Sequence, residues 1–142
     1  MRKVCVITGG GSGMGLAAAK EFGGQYYILI TGRTIEKLQT AVEELKAKGI
    51  AAEGFPCDVS DRNSVEELAA YASKLGDIKV VIHAAGMSPN MGSPEKIMKV
   101  NAVGTVHVNE VFHERLADNS CIINVSSMSG HLVPKIVMPS KK

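Results

Sequence analysis

The sequence predicts an α/β protein built as a doubly wound parallel sheet with strand order 3-2-1-4-5. Three observations lead there. The apolar run Val4-Cys5-Val6-Ile7-Thr8 breaks into a glycine-rich stretch, Gly9 to Gly15, and resumes as the helix-forming Leu16-Ala17-Ala18-Ala19, a strand, tight turn and helix N-terminus in succession. Further apolar runs follow, separated by segments whose apolar residues recur at helical spacing. The runs are almost continuously apolar, as in Tyr26-Tyr27-Ile28-Leu29-Ile30-Thr31, which is the habit of parallel strands covered by helices on both faces. That alternation implies right-handed crossovers and puts a ligand at the carboxyl end of the first strand, where the strand order reverses.

Each element has its own justification. Gly9, Gly13 and Gly15 leave no Cβ in the first turn, so backbone N–H groups and the positive end of the helix dipole can approach an anion closely, and a phosphate is the natural ligand. The helix opened by Gly13 carries Leu16, Ala17 and Ala19 toward the sheet and ends near Gly23-Gly24, where a glycine supplies a left-handed cap. Tyr26–Thr31 is the second strand. Thr34 caps a helix with Leu38, Val42 and Leu45 on one side and Glu36, Lys37, Glu43, Glu44, Lys46 and Lys48 in water, closed by Gly49. Ile50 to Pro56 is a short third strand, which the proline assigns to a sheet edge. Asp61 or Ser64 opens a helix with Val65, Leu68, Ala72 and Leu75 on one face, closed by Gly76. Lys79 to Gly86 is the fourth strand. After a loop rich in Gly, Pro, Asn and Ser, Ser93-Pro94-Glu95 starts a helix running to about Leu116. Cys121 to Ser126 is the fifth strand. Met128 to Lys142 reads as loop, so the fold is expected to be a single domain over 1–142, truncated after strand five and incomplete at its C-terminus.

Composition excludes several classes. Sixteen basic and 14 acidic residues give a net charge of +2 with no basic run beyond Lys141-Lys142, which argues against nucleic acid or an anionic membrane as partner. No apolar run is long enough to span a bilayer. Cys5, Cys57 and Cys121 are an odd set inside or beside strands, a poor disulfide framework or metal site, and fit a reducing cytoplasm. His83, His107, His113 and His131 show no ligand spacing, so no metal is expected. Met87, Met91, Met98 and Met128 cluster about the expected pocket mouth, as an adaptable apolar wall or as ordinary packing.

Taken in order, five motifs carry a resemblance. Thr8-Gly9-x-x-x-Gly13-x-Gly15, Asp58-Val59 after strand three, His83-Ala84-Ala85-Gly86, Asn101-x-x-Gly104 and Ile123-Asn124-Val125-Ser126-Ser127 together resemble the short-chain dehydrogenase/reductase family, from Lys3 to Ser127. The resemblance implies a Rossmann fold and an oxidoreductase moving hydride between nicotinamide and a carbonyl or alcohol. It implies cofactor contacts at Gly9, Ser12, Gly13, Met14, Gly15, Asp58, Val59, Ala84, Ala85 and Gly86, with Asp58 beside the adenine, and catalytic roles for Ser127 on the substrate oxygen and Asn101 in a proton relay. The plain alternatives are a strand-end cap for Ser127 and a helix amide bonded to backbone for Asn101. The chain departs from the pattern at His83 and Ala84, where the family has asparagines, and no Tyr-x-x-x-Lys follows the serine; the tyrosine would fall near Ser140.

That absence bears on the chemistry, because hydride transfer to a carbonyl makes an alkoxide that needs a proton donor, in the family the tyrosine with its pKa lowered by the lysine. The 142-residue chain is therefore expected to be an inactive amino-terminal part. The alternatives are a non-catalytic dinucleotide-binding or redox-sensing module and an interaction protein that keeps the fold without the ligand, and a reading frame continuing into Tyr-x-x-x-Lys would favour the first reading. At the end of strand two, Thr31-Gly32-Arg33-Thr34 offers a cation and no carboxylate, which suits a 2′-phosphate and favours NADP(H) over NAD(H) unless Arg33 is only a solvated surface charge. The same position disfavours an S-adenosylmethionine site, and the loop lacks the Gly-Lys-Ser/Thr of a nucleoside triphosphatase. The family's dimer helix suggests a homo-oligomer, with the apolar face Val103, Val106 and Val111 seeking a partner and Val106 near the contact.

Overall fold

The computed structural model describes residues 1–128. The loop expected beyond that point, with His131, lies outside the described residues. Seven elements open the chain: β1 (Lys3–Thr8), α1 (Gly13–Phe22), β2 (Tyr27–Gly32), α2 (Ile35–Ala47), β3 (Ala52–Pro56), α3 (Arg62–Leu75) and β4 (Asp77–His83). A 3₁₀ turn at Pro89–Met91 leads into one continuous helical run made of α4 (Pro94–Met98), a π turn (Lys99–Val103) and α5 (Gly104–His113), and β5 (Cys121–Asn124) follows. The expected single helix thus carries a π turn in its middle and ends at His113 rather than near Leu116. Just after the π turn, a Cβ on Gly104 would stand 2.7 Å from Val59 Cγ2, so the helix passes the β3–α3 loop at a distance that suits a glycine.

The strands order as β3-β2-β1-β4-β5, every neighbouring pair parallel, as the sequence predicts. In register, Thr8 lies beside Thr31 on β2 and beside His83 on β4, and His83 lies beside Asn124 on β5. β3 stands at one edge, as expected, and its last residue, Pro56, pairs with Gly32.

Period-two alternation splits the apolar residues between two cores. Val4, Val6, Leu29 and Val81 face a layer formed by α3 and α5, with Val65, Leu68, Val108, Val111 and the wholly buried Phe112. Cys5, Ile7, Ile28, Ile30 and Ile82 face α1 and α2, with Ala19, Leu38, Ala41 and Leu45. Burial pushes the Cys5 thiol up to about 12, which keeps it a neutral apolar filler.

Helix docking corrects some expected faces. Gly15 and Ala19 of α1 are buried whereas Ala17 is exposed, because α1 rotates to bring its glycine against the loop. Gly23 ends α1 in the right-handed region, φ −63°, so no left-handed cap forms; its missing Cβ makes room for Ile50, which would lie 2.6 Å from it. Thr34 is the N-cap of α2 but its hydroxyl makes no capping bond, whereas Asp61 caps α3 by accepting from Asn63 N–H. Val103 in the π turn and Val106 on α5 are exposed as expected, but Val111 of α5 is buried in the core between α5 and the sheet. Among the described residues no helix is long and apolar enough to cross a membrane.

Candidate functional site

Thr8, Thr31 and His83 are the buried polar residues among those described, and they stand at the carboxyl ends of β1, β2 and β4. Their strands flank the point where the order reverses, and a cleft of about 300 Å³ opens there, within the range of small-ligand sites. Gly9, Ser12, Gly13, Met14, Gly15, Arg33, Asp58, Val59, Ala84, Ala85 and Gly86 all line it, so residues from four separate loops converge on one cavity.

The glycine turn suits an anion. A Cβ on Gly15 would lie 2.2 Å from the Gly9 carbonyl oxygen, so α1 can begin directly against the turn only with glycine at 15. Gly13 sits at φ +54° with open space where its side chain would be. Ser12, the N-cap, makes no side-chain capping bond, so the first N–H groups of α1 face the cleft with their donors available.

The far end is set by α2 and by the β3–α3 loop. Arg33 and Thr34 sit at the mouth, and Lys37, one turn into α2, joins them. Lys37, expected only on the solvent face, comes to the cleft through the docking of α2 over β2, which its position in the sequence does not reveal. Asp58 is braced on both sides: its Oδ1 accepts from the Ser60 N–H at 3.0 Å and hydroxyl at 2.7 Å, and its own N–H donates to Ser64 Oγ at 3.0 Å. Thr31 Oγ1 is buried in the cleft wall, and its polar neighbour is the Cys57 thiol. The free N–H groups at the start of α1 and the cations Arg33 and Lys37 could each hold an anionic group, and the Asp58 carboxylate could accept from a polar group beside it.

Asn101 and Ser127 do not line the cleft directly. Asn101, in the π turn, uses both ends of its amide on one residue: Met87 N–H donates to Oδ1 and Nδ2 donates to the Met87 carbonyl, each at 2.8 Å. Met87, buried, forms cleft wall, while Met91, Met98 and Met128 are exposed and do not line it. Ser127 stands exposed three residues beyond β5. His107 donates from Nδ1 to the Val59 carbonyl at 2.9 Å and so steadies the loop after Asp58. Tyr27 and Tyr71 both donate to Glu53, at the opposite end of the sheet from the cleft.

A family model described as short chain dehydrogenase matches residues 3–140. An oxidoreductase of Mycobacterium tuberculosis is 31% identical over 144 residues, covering 89% of this chain and 42% of that protein. Human carbonyl reductase (NADPH) 1 is 28% identical over 137 residues, covering 88% of this chain and 49% of its own. A crystal structure of an actinorhodin polyketide ketoreductase variant with NADPH superposes with a TM-score of 0.81 at 26% identity, covering 96% of this chain and 56% of that one. The chain spans somewhat under half the length of these curated relatives.

Proposed function

The chain belongs to the short-chain dehydrogenase family, and from that footing we propose that it forms the NADP(H)-binding unit of an oxidoreductase acting on a small-molecule carbonyl or alcohol. One observation supports this above the others: the glycine turn, Arg33, Asp58-Val59 and Ala84–Gly86 border a single cleft at the point where the strand order reverses. The relative named for NADPH and the neighbour solved with NADPH agree with it.

The nicotinamide, when bound, gives or takes the hydride. The N–H groups at the start of α1 would hold the pyrophosphate, Arg33 the 2′-phosphate, and Asp58 the adenine. Asn101 would act by holding Met87, and hence the wall after β4, in place. Ser127 would meet the substrate oxygen. The sequence carries no Tyr-x-x-x-Lys after Ser127, so the proton on the alkoxide has no donor of the family's kind in these 142 residues. We place the protein in the cytoplasm, consistent with Cys5, Cys57 and Cys121 all being free. We also assign it a homo-oligomeric state, through the side of the π turn and α5 where Val103 and Val106 are exposed.

Titration of the chain with NADPH and NADH by calorimetry tests the reading. Saturable NADPH binding, tighter than NADH, is the expected result, and absence of binding by both overturns it.

A further inference from the structure

His83 is buried to 3% exposure and its ring is bonded at both nitrogens to hydroxyls from different parts of the chain. Nδ1 lies 2.7 Å from Thr8 Oγ1 at the end of β1, and Nε2 lies 2.9 Å from Thr105 Oγ1 at the start of α5. The Thr8 hydroxyl already accepts from Ala84 N–H at 3.2 Å and Ala85 N–H at 3.1 Å. A hydroxyl has two acceptor positions and one proton, so the Thr8 proton points to His83 Nδ1. The ring proton then sits on Nε2 and is donated to Thr105, whose own proton goes to the Asn101 carbonyl at 2.7 Å. The direction of every bond follows from that first count. The chain of donors runs from the cleft turn through β1, β4 and α5 to the residue that holds Met87.

We propose that His83 is a positioning residue: as the neutral ring with its proton on Nε2, it fastens the end of β1 to the π turn and so holds Asn101, Met87 and the turn after β4 in the geometry that binds cofactor. The cofactor part of this rests on the dinucleotide reading of the cleft. A proton added at Nδ1 cannot be accommodated without loss. Thr8 Oγ1 would have to turn and accept it; Ala84 N–H could fall back on the Thr8 carbonyl at 3.2 Å, but the hydroxyl proton would be left without an acceptor and a charge would be buried. Among the described residues no charged group faces the ring to compensate. On α5, Glu110 is paired with Arg62, His107 is bonded to the Val59 carbonyl and His113 is exposed. Cys5 of β1 lies on the opposite sheet face, and Lys3, Asp77, Lys79 and Cys121 lie at the far ends of β1, β4 and β5. The Asn109–Asn124 amide pair, also tied to Thr105 through its carbonyl, is neutral. Acidification therefore loosens the tie, and burial already holds the ring's pKa below its ordinary value.

Long-range ¹H–¹⁵N NMR of the 142-residue chain reads the tautomer of His83 without cofactor. The Nε2–H form at neutral pH is expected, and an Nδ1–H or doubly protonated ring overturns the proposal. NADPH affinity followed by fluorescence from pH 8 to pH 5 is expected to fall, once the ring begins to protonate, by up to about tenfold per pH unit for one linked proton. His83→Gln, which keeps a donor for Thr105 but does not titrate, is expected to lose that acid limb. The same limb in the variant refutes the role. Should His83→Gln not fold, Thr8→Val removes the donor that favours the neutral ring, and the acid limb is expected to move to higher pH; an unmoved limb refutes the role equally. If the wild-type chain binds no NADPH at pH 8, the dinucleotide reading fails, and the tautomer measurement still decides the tie between β1 and the π turn.

Discussion

Replacing Arg33 by Asp reverses a charge at the mouth of the cleft and should separate the two nicotinamide cofactors. Arg33 is exposed, and among the described residues no carboxylate forms an ion pair with it, so its guanidinium is available to a phosphate. A charge-assisted contact contributes about 1.5–3 kcal/mol, and solvent at an exposed site draws it toward the lower half of that range. Asp then adds repulsion toward the phosphate of about 1 kcal/mol at contact distance in water. The sum, about 2.5–3.2 kcal/mol, raises the NADPH Kd by about 60- to 200-fold. NADH carries a hydroxyl in place of the phosphate, which Asp can accept from, so its Kd should stay level or fall. Lys37→Ala, which removes the second cation at the same mouth and leaves Arg33, should cost NADPH only about 0.5–1 kcal/mol. Calorimetric titration of both cofactors at low and at high salt is the assay, with the NADPH effect shrinking as salt screens it. Equal losses for NADPH and NADH would refute the role given to Arg33.

Gly15→Ala puts a Cβ 2.2 Å from the Gly9 carbonyl oxygen, and since both partners are backbone the loop must shift, so a loss of about 1–3 kcal/mol in urea unfolding is expected together with loss of NADPH binding. A variant of wild-type stability and affinity would show that α1 does not dock as described. For His83, the unfolded ring takes up a proton near pH 6.5 while the buried ring resists it until lower pH. Stability should therefore be level above that value and fall below it by up to about 1.4 kcal/mol per pH unit, until the folded ring also protonates. Urea midpoints from pH 7.5 to 5 check this, and His83→Gln with an identical slope would contradict it. The 142-residue chain alone should show no NADPH-dependent carbonyl reduction, and measurable turnover would overturn that expectation. Sedimentation at high concentration should show association that Val106→Glu weakens, and a clean monomer would count against the exposed side of α5 as the contact.

The sequence by itself determined what depends on neighbours along the chain. The alternation of apolar runs with helical spacing determined the parallel sheet and its strand order, because covered strands and amphipathic helices have few other ways to bury their faces. The glycine turn could be read because its requirements, a positive φ at Gly13 and the missing Cβ at Gly15, act over a few residues. Tertiary structure decided the rest. Ala17 is exposed, Val111 is buried and Gly23 is spared a side chain because helix rotation is set by what docks against it, and Ile50 or Gly9 cannot be known from the helix alone. Lys37 joins Arg33 at the cleft only once α2 is seated over β2. His83 looked like a departure from a motif, and its partners Thr8 and Thr105 lie 75 and 22 residues away. Which proton it carries follows from a count of donors and acceptors that exists only when three distant segments meet around a buried ring.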